Sequence, residues 1–417
     1  MAKDVTIAVI DAGTSKVLTL IGRHNGMDRA EVLGAGLAPT AGIRKGVVVD
    51  AGAARESIRE SMEDARIAAG VLAPSAFIIV SSGHLEAHSC WSTLHSMGQD
   101  AAITEAELDR AVDAARPEGL SSRQEVLHKL PRSFAVDGLK GLRNPIGMHA
   151  LRIDVETVCV TAEAASINAL VSAVESARVR VDGIVAGPVA TAEGVLSPDD
   201  MERGVALMDI GGGVTTVAVF RNGALWNAGV LPLGGNQFTT DLSLALNIAP
   251  ETAEDLKVRY GQAALDVTGD ESVEIESPAD QRLVRVERRV IARYLHERAG
   301  ELFRFAGRKL NEFGFPNLPP AGLVLTGGGS TLRGIERVAR QQLGAPVRFA
   351  FPEDPDLPYD LRDPAFSAGV GALHWASRQP ETSMRDGGRR QKFNTTYAQA
   401  NAGPLSRLKD RMSKVAQ

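Results

Sequence analysis

The chain has 417 residues, of which 44% are hydrophobic and 5% aromatic, and its formal net charge is −5. This length allows two or three packed domains, and the slightly acidic balance argues against a surface that binds nucleic acid. Cys90 and Cys159 lie far apart in sequence, which predicts neither a disulfide framework nor a zinc knuckle and favours a reducing, cytoplasmic compartment.

The first predicted element is an apolar strand that ends at Asp11, followed by a turn and a second strand-like run from Lys16 to Ile21. The same pattern recurs around Asp209, where the second run extends from Val214 to Phe220. Each pattern is typical of a β-hairpin with an aspartate at its turn. Because the pattern occurs twice, we expect two halves of similar construction.

Between the hairpins, helix-like and strand-like patterns alternate, as in Ser57 to Ala69, Phe77 to Val80 and Ser166 to Ala177. This alternation predicts α/β layers with crossover helices. Residues 84–161 interrupt the first half, and a mostly helical stretch from Gly234 to Phe313 interrupts the second. The sequence therefore predicts one inserted subdomain in each half.

The last part of the chain differs in composition from the α/β region before it. Residues 379–403 are polar, which predicts a flexible linker. Pro404 then suits the first turn of a helix. At 100° per residue, one face of that helix carries the apolar side chains Leu405, Leu408, Met412 and Val415, and the other carries the basic side chains Arg407, Arg411 and Lys414. This pattern predicts a helix that binds an anionic membrane surface.

Glycine-rich turns at strand ends predict a phosphate site, because successive N–H groups without intervening side chains can converge on an anion. The candidate residues are Gly13, Thr14, Ser15 and Lys16 in the first turn and Gly211, Gly212, Gly213 and Thr215 in the second. Asp11 and Asp209 could hold the waters of a Mg²⁺ ion. The chain lacks a Gly-Lys dipeptide, which excludes a Walker loop. ATP with magnesium, bound between the halves, fits both turns.

Three segments resemble the phosphate-1, phosphate-2 and adenosine motifs of the actin-like ATPases, namely Asp11 to Lys16, Asp209 to Thr216 and Thr326 to Gly334. Two more, 187–194 and 366–373, resemble the connecting helices of that superfamily, which form the hinge between its two halves. The resemblance implies further nucleotide-binding residues, which are Gly327, Gly328, Gly329 and Ser330 in the third turn and Glu254 and Lys257 near the ribose and base.

Within this superfamily, Val126-Leu127-His128 and residues 141–148 resemble the FtsA family. The implied fold is α/β and actin-like, with two α/β halves around a nucleotide cleft, an FtsA-type inserted subdomain and a C-terminal amphipathic helix. The expected units are 1–83 with 162–195, the insertion 84–161, 196–231 with 321–378, the second insertion 232–320, the linker 379–403 and the helix 404–417.

The resemblance to FtsA also implies a function, that of an ATP-binding, polymerising cell-division protein on the cytoplasmic face of the inner membrane at the division site. Its implied partners are the C-terminal peptide of FtsZ, further copies of itself, an anionic membrane and other division proteins. Arg293 and Tyr294 resemble the region that docks FtsZ. Gly187 offers no side chain to orient an attacking water, so we expect slow ATP hydrolysis. The alternatives are a sugar-kinase-like phosphotransferase and an actin-like adaptor of pilus assembly.

Overall fold

The computed structural model describes residues 5–24, 30–95, 102–265, 271–276 and 283–379. Strands and helices alternate along most of these ranges, as the sequence predicts. The strands are β1 Val5–Ala12, β2 Lys16–His24, β3 Glu31–Pro39, β4 Ile43–Arg44, β5 Val47–Val48, β6 Ser75–Val80, β7 Glu86–His95, β8 Gln124–Val136, β9 Leu139–Leu142, β10 Arg152–Glu163, β11 Arg180–Ala186, β12 Val205–Ile210, β13 Thr215–Arg221, β14 Ala224–Leu231, β15 Ser272–Glu276, β16 Leu283–Glu287, β17 Leu323–Thr326 and β18 Val347–Phe349.

The helices of the described residues lie between these strands and after them. They are α1 Ala51–Ala69, α2 Glu105–Ala114, α3 Ala164–Ser176, α4 Gly187–Val195, α5 Pro198–Arg203, α6 Gly235–Leu246, α7 Pro250–Tyr260, α8 Arg288–Glu312, α9 Ile335–Leu343 and α10 Ser367–Ser377. Short 3-10 turns occupy Gly328–Thr331, Tyr359–Leu361 and Pro364–Phe366. Within the described ranges, none of these helices is long and apolar enough to span a bilayer.

The first half is built on a five-stranded sheet in the order β11-β6-β1-β2-β3. Its helices cover opposite faces, as two contacts on β2 show. Thr19 accepts a hydrogen bond from the Ser61 hydroxyl of α1 at 2.9 Å, whereas a Cβ added at Gly369 of α10 would lie 2.5 Å from the side chain of Leu18. Because neighbouring side chains on a strand point to opposite faces, α1 and α10 lie on different sides of this sheet.

The second half is built on a nine-stranded sheet in the order β18-β17-β12-β13-β14-β7-β10-β8-β9. Strands β7 to β10 span residues 86–163, nearly all of them within the predicted insertion 84–161 that interrupts the first half in sequence. They join the second half in space, because β14 pairs with β7 through Gly229 and Glu86. The sequence pattern did not indicate this attachment.

A buried arginine reinforces the join between the insertion and the second half. The guanidinium of Arg132 on β8 lies 4.0 Å from the ring centroid of Trp226 on β14 and donates to the Trp226 carbonyl oxygen. It also donates to Glu156 Oε1 at 2.5 Å, and the Arg132 side chain is 6% exposed. Stacking and hydrogen bonds that share one guanidinium therefore hold the two parts of the sheet together.

Helices α4 and α10, which the sequence identified as the connecting segments, pack against each other through small residues. A Cβ added at Gly371 would lie 1.9 Å from the Ala190 carbonyl oxygen, and one at Gly194 would lie 2.3 Å from that of Ser367. Backbone approaches this close require glycine on both helices. The two segments thus form one tightly packed pair at the base of the cleft.

Candidate functional site

The first hairpin turn is closed by local hydrogen bonds. Gly13 N donates to the Lys16 carbonyl oxygen at 3.0 Å, and the Thr40 hydroxyl donates to the Gly13 carbonyl oxygen at 2.9 Å. The pairing of β1 with β2 continues to Ala12 and Val17, so the turn begins directly at the strand ends. The sequence-predicted hairpin is confirmed here.

The second hairpin turn has the same construction and also carries the start of a helix. Gly211 N donates to the Val214 carbonyl oxygen at 2.9 Å. The first residues of α6 then bond back to the turn, with Gly235 N donating to Gly211 and Asn236 N donating to Gly212, each at 2.8 Å. Since the N-terminal N–H groups of a helix favour anions, α6 adds positive potential beside this turn.

The two turns fit into each other across the cleft. A Cβ added at Gly212 would lie 1.9 Å from Ser15 Oγ, and one at Gly213 would lie 2.5 Å from Thr14 Oγ1 and 3.0 Å from Thr14 Cβ. The side chains of the first turn therefore occupy the space that glycine leaves in the second. This packing is a reason for the glycines in addition to the predicted phosphate binding.

A cavity of about 360 Å³ lies between the two halves, within the size range of small-molecule sites. The structure brings most predicted nucleotide residues to its wall, which are Asp11, Gly13, Thr14, Ser15, Lys16, Asp209, Gly211, Gly212, Gly213, Glu254, Lys257, Gly327, Gly328 and Gly329. These residues come from both hairpins, from α7 and from the turn after β17. The cavity thus lies where all three glycine-rich turns meet.

Thr215 and Ser330 are the two predicted residues whose side chains point elsewhere. The Thr215 hydroxyl donates to the Leu233 carbonyl oxygen at 2.8 Å, and the Ser330 hydroxyl donates to that of Gly327 at 2.7 Å. Both side chains are buried. Their neighbours Thr216 and Thr331 line the cavity instead.

Two partly buried carboxylates and Lys16 place charge beside the first two turns. Burial raises the pKa of Asp11 to about 6, although Lys16 opposes the shift and Asp209 adds to it. Burial also raises the pKa of Asp209, against a hydrogen bond of 2.8 Å from the Thr191 hydroxyl to its Oδ2 atom. The pKa of Lys16 is lowered chiefly by burial, and its ammonium lies 4.8 Å from the ring centroid of Phe366.

This donor set fits a hydrated magnesium ion. Asp11 and Asp209 supply hard carboxylate oxygens, and a divalent cation would offset the burial of both charges. Within the described residues, no group of three or more His, Cys, Asp or Glu side chains is arranged to hold a metal. Two carboxylates without further protein ligands suit Mg²⁺, which keeps several waters and binds phosphate oxygens.

The opposite wall of the cavity is held together by Lys257. Its ammonium donates to Glu254 Oε2 at 2.7 Å, to Thr239 Oγ1 at 2.9 Å and to the Gly235 carbonyl oxygen at 3.1 Å. These bonds tie α7 to the start of α6. Lys257 therefore fixes the distance between the phosphate turn and the predicted ribose and base region.

Several residues that line the cavity were not among the predicted site residues, although Thr216, Thr331 and Arg333 fall within the segments that resemble the phosphate-2 and adenosine motifs. The full set is Gly46, Ser81, Thr216, Asn236, Thr331 and Arg333. Gly46 lies at the β4–β5 turn with φ +73°, and its N–H donates to Thr14 Oγ1 at 3.3 Å. Gly46 directly before the apolar run Val47 to Val49 was the available sequence signal for a turn here.

Gly187 is the residue from whose missing side chain we predicted slow ATP hydrolysis. It is the first residue of α4 and lies next to Ser81. A Cβ at Gly187 would lie 1.9 Å from Ser81 Oγ, so the serine hydroxyl fills that space. Ser81 lines the cavity. A larger residue at 187 would therefore collide with Ser81 before it reached the cavity.

His128, part of the FtsA-like motif, connects the insertion to both connecting helices. Its Nε2 atom accepts a hydrogen bond of 2.8 Å from Ala186 N, just before α4, and its ring lies 5.4 Å from that of Trp375 on α10. Burial lowers the pKa of His128 to about 4, so the imidazole is neutral near pH 7. The motif thus has a structural role at the hinge.

The predicted partner residues lie outside the cavity. Arg293 is an exposed residue of α8 whose guanidinium lies 3.3 Å from Glu297, and Tyr294 is half-buried against the core of the second half. The predicted membrane residues, Leu405, Leu408, Met412, Val415, Arg407, Arg411 and Lys414, lie outside the described residues.

Comparison with known proteins identifies two family models in the chain. The model "Cell division protein FtsA" matches residues 206–371, and "SHS2 domain inserted in FTSA" matches residues 83–161. The second range contains strands β7 to β9 and all but the last two residues of β10, which form the inserted part of the nine-stranded sheet.

Solved structures with the same architecture are more distant in sequence. The PilM–PilN type IV pilus biogenesis complex matches with a TM-score of 0.65 at 18% identity, covering 90% of this chain and 99% of that one. MreB5 of Spiroplasma citri bound to ADP matches with a TM-score of 0.51 at 14% identity, covering 87% and 94%. These similarities establish the actin-like fold, as predicted.

Proteins known by sequence include relatives of higher identity to this chain than these structures. The cell division protein FtsA of Pseudomonas aeruginosa is 33% identical over 384 residues, which are 91% of either chain. That of Neisseria meningitidis serogroup B is 33% identical over 398 residues, covering 92% of this chain and 95% of the relative. The resemblance seen in the motifs is thus confirmed over most of the sequence, and the chain belongs to the FtsA family of cell division proteins.

Proposed function

We propose that this protein is an ATP-dependent, polymerising adaptor of cell division that links FtsZ filaments to the inner face of the membrane. The observation that carries the nucleotide part is the convergence of two glycine-rich turns, Lys16 and two partly buried carboxylates in one cavity. Membership of the FtsA family supports the division role. Neither the phosphotransferase nor the pilus alternative is favoured by these relatives.

ATP would bind with its phosphates between the two turns, where Gly13, Gly212 and Lys16 can reach them. Asp11 and Asp209 would hold Mg²⁺ through its waters, and the ion would neutralise phosphate charge when bound. The ribose and base would lie toward Glu254, Lys257 and the Gly327 to Gly329 turn. Because the first turn fits against the second, nucleotide occupancy would favour a closed cleft and, in that state, polymerisation.

The C-terminal segment 404–417 would attach the protein to an anionic membrane, at the cytoplasmic face of the division site. Each basic residue near such a surface contributes about 1 kcal/mol, so a single segment binds marginally. A polymer presents many segments at once and raises the total affinity by multivalency. The proposal therefore makes membrane attachment depend on ATP through polymerisation.

The test is sedimentation of FtsZ with anionic vesicles, using the full chain and a version that ends at Gly403, each with and without magnesium-ATP. We expect FtsZ to sediment with vesicles only when the full chain is present, and more so with ATP. If both versions stay in the supernatant in every condition, membrane tethering is wrong.

The FtsZ contact is tested in the same assay with Arg293→Ala. Arg259→Ala is the matched control, because Arg259 is also an exposed arginine paired to an acid four residues away, at 2.6 Å from Asp255. We expect Arg293→Ala to reduce FtsZ sedimentation about tenfold while the protein itself still binds vesicles. Equal effects of the two substitutions would contradict the proposed FtsZ site.

A further inference from the structure

A loop on the second half, residues 349–362, combines exposed aromatic side chains with exposed acids, and we name it the acidic-aromatic loop. Phe349 is 42% exposed, Phe351 39% and Tyr359 85%. The loop contains four acidic residues and one basic residue, Arg362. Glu353, Asp356 and Asp360 are exposed, and no described residue forms an ion pair with them.

The loop has a fixed backbone although its surface is exposed. Leu357 N donates to the Asp354 carbonyl oxygen at 3.1 Å, and Arg362 donates to those of Leu357 at 3.0 Å and Pro355 at 2.8 Å. The Arg362 guanidinium thus donates to carbonyl oxygens inside the loop. The exposed carboxylates keep a net negative field over a preformed aromatic surface.

The loop lies beside the helix from which the rest of the chain continues. Asp354 Oδ2 is 3.5 Å from His374 Nε2 on α10, and Leu357 and Leu361 share a core with Trp375. The described chain ends at residue 379, just after this helix. Whatever follows residue 379 therefore starts next to the acidic-aromatic loop.

The sequence beyond residue 379 has a segment of opposite charge. Residues 404–417 contain four basic residues and one acidic residue, together with Leu405, Leu408, Met412 and Val415. The polar stretch 380–403 has 24 residues, and a flexible chain of that length spans roughly 25–30 Å on average. Segment 404–417 can therefore reach the loop, and its basic and apolar side chains complement the acids and aromatics there.

A second acidic surface with exposed apolar residues lies on α1, where Glu60, Glu63 and Asp64 precede Ile67, which is 72% exposed. It lies on the opposite face of the five-stranded sheet from α10. The sheet separates it from the start of the tail, so it is less accessible to segment 404–417. It provides a matched control surface.

We propose that the acidic-aromatic loop docks the chain's own segment 404–417 and holds it away from the membrane until an anionic surface competes for it. The regulatory part of this inference rests on the proposed membrane role of segment 404–417. The docking of the segment on the loop does not depend on that role. Linkage through 380–403 gives an effective concentration in the millimolar range, so weak contacts suffice. Single subunits would then bind membrane poorly, whereas polymers would still bind through many segments.

The first test is hydrogen exchange of the full chain in solution without vesicles, read by mass spectrometry. The loop variant carries Glu353→Gln, Asp356→Asn, Asp360→Asn and Tyr359→Ser, and the control variant carries Glu60→Gln, Glu63→Gln, Asp64→Asn and Ile67→Ser. We expect amides of 404–417 to exchange at least about threefold faster in the loop variant than in the wild type. The control variant should match the wild type.

A chain that ends at Gly403 keeps every described residue and gives the reciprocal measurement. Amides of 351–362 should exchange faster in it than in the full chain. Equal exchange of both segments in all versions would overturn the proposal. Protection that rises with protein concentration would also overturn it, because docking would then occur between copies.

The second test is sedimentation of the same full-length versions with anionic vesicles. We expect the loop variant to reach half-sedimentation at about three- to tenfold less lipid than the wild type and the control variant. Equal vesicle binding by the wild type and the loop variant, despite protection in solution, would overturn the regulatory part. If no version binds vesicles but the tail is protected, the docking stands and the proposed membrane function fails.

Discussion

The two phosphate turns have the same hydrogen-bonded design and differ in what they offer to each other. The first presents side chains, Thr14 and Ser15, and the second presents glycines, Gly212 and Gly213, at the points where the turns meet. A glycine-rich sequence therefore has two causes in one place. One is access of backbone N–H groups to phosphate, and the other is the shape of the facing turn.

The aspartates of the two turns also differ, in the groups that stabilise their charge. Asp11 has a cation, Lys16, as its main favourable neighbour, whereas Asp209 accepts a hydrogen bond from Thr191. Charge near Asp11 is balanced by a side chain that can also reach phosphate. Charge near Asp209 is balanced by a hydroxyl of α4, so the second site is linked to the hinge.

The largest expected effect comes from filling the space between the turns with Gly213→Ala. Its Cβ would lie within 3.0 Å of three Thr14 side-chain atoms, which cannot all move aside because Thr14 is branched. We expect magnesium-ATP affinity, measured by calorimetry, to fall about 100-fold, equivalent to roughly 3 kcal/mol.

Two controls decide whether that loss comes from the collision. Adding Thr14→Gly to Gly213→Ala should restore at least about tenfold of the affinity, because it removes the colliding atoms. Gly83→Ala, where a Cβ would meet nothing within 4 Å, should leave affinity unchanged. If the double variant binds no better than Gly213→Ala, the interlocking explanation is wrong.

Asp11→Asn should separate stability from nucleotide binding. The pKa of Asp11 is raised from 3.8 to about 6 in the folded protein, so its contribution to stability is present below pH 3.8 and is lost as the pH rises through 6. In the ligand-free protein at pH 7.5, we therefore expect the substitution to raise the free energy of unfolding by about 2 to 3 kcal/mol. At pH 3.8 or below the gain should disappear.

The same variant should bind magnesium-ATP about tenfold more weakly, since one charged ligand for the ion's waters is lost. Urea unfolding in EDTA at both pH values and calorimetry at pH 7.5 make the comparison. Asp64→Asn, at an exposed position on α1, is the control and should change neither quantity. A stability gain that is equal at the two pH values would contradict the assigned titration.

Thr191→Val tests the hydrogen bond that supports the second aspartate. Without the hydroxyl, the pKa of Asp209 should rise further, because the bond favours its charged form. We expect magnesium-ATP affinity to fall about threefold at pH 8 and more at pH 6. Thr215→Val is the matched control, since Thr215 is equally buried but bonds to Leu233, and it should leave affinity within about twofold at both pH values.

The smallest expected effect concerns hydrolysis. Because Gly187 carries no side chain and Ser81 fills its space, single-turnover ATP hydrolysis should be at least about 100-fold slower than the roughly 1–100 s⁻¹ of kinases. Gly187→Gln alone should not raise it, and Gly187→Gln with Ser81→Gly should raise it a few-fold. Hydrolysis by the wild type at a kinase rate would show that another group orients the water.

Local patterns predicted the parts of this fold that local physics determines. The β1–β2 and β12–β13 hairpins follow from apolar runs on either side of a turn that begins with Asp and has Gly two residues later, and the three glycine-rich turns do meet in the cavity. Register was harder. The sequence indicated Thr215 as a site residue, whereas in the structure its side chain is buried and Thr216, on the other face of β13, lines the cavity.

Contacts between distant segments could not be predicted from one sequence. Gly46 and Ser81 reach the cavity only because the β4–β5 turn and the end of β6 lie beside the first turn, and neither residue belongs to a recognisable motif. The pairing of Glu86 with Gly229 is likewise a tertiary contact, because it joins β7 to β14 across more than a hundred residues of sequence. Such choices depend on packing energies spread over many residues.

The join between β7 and β14 also has a mechanical consequence. Within the described residues, a single backbone pair, Gly229 with Glu86, links these strands, and Arg132 adds its stack and hydrogen bonds beside them. A tensile load that pulls the insertion away from the second half would concentrate on this narrow seam, whereas the long β10–β8 ladder would carry it over eleven residue pairs. Under force, the sheet would yield first at Arg132.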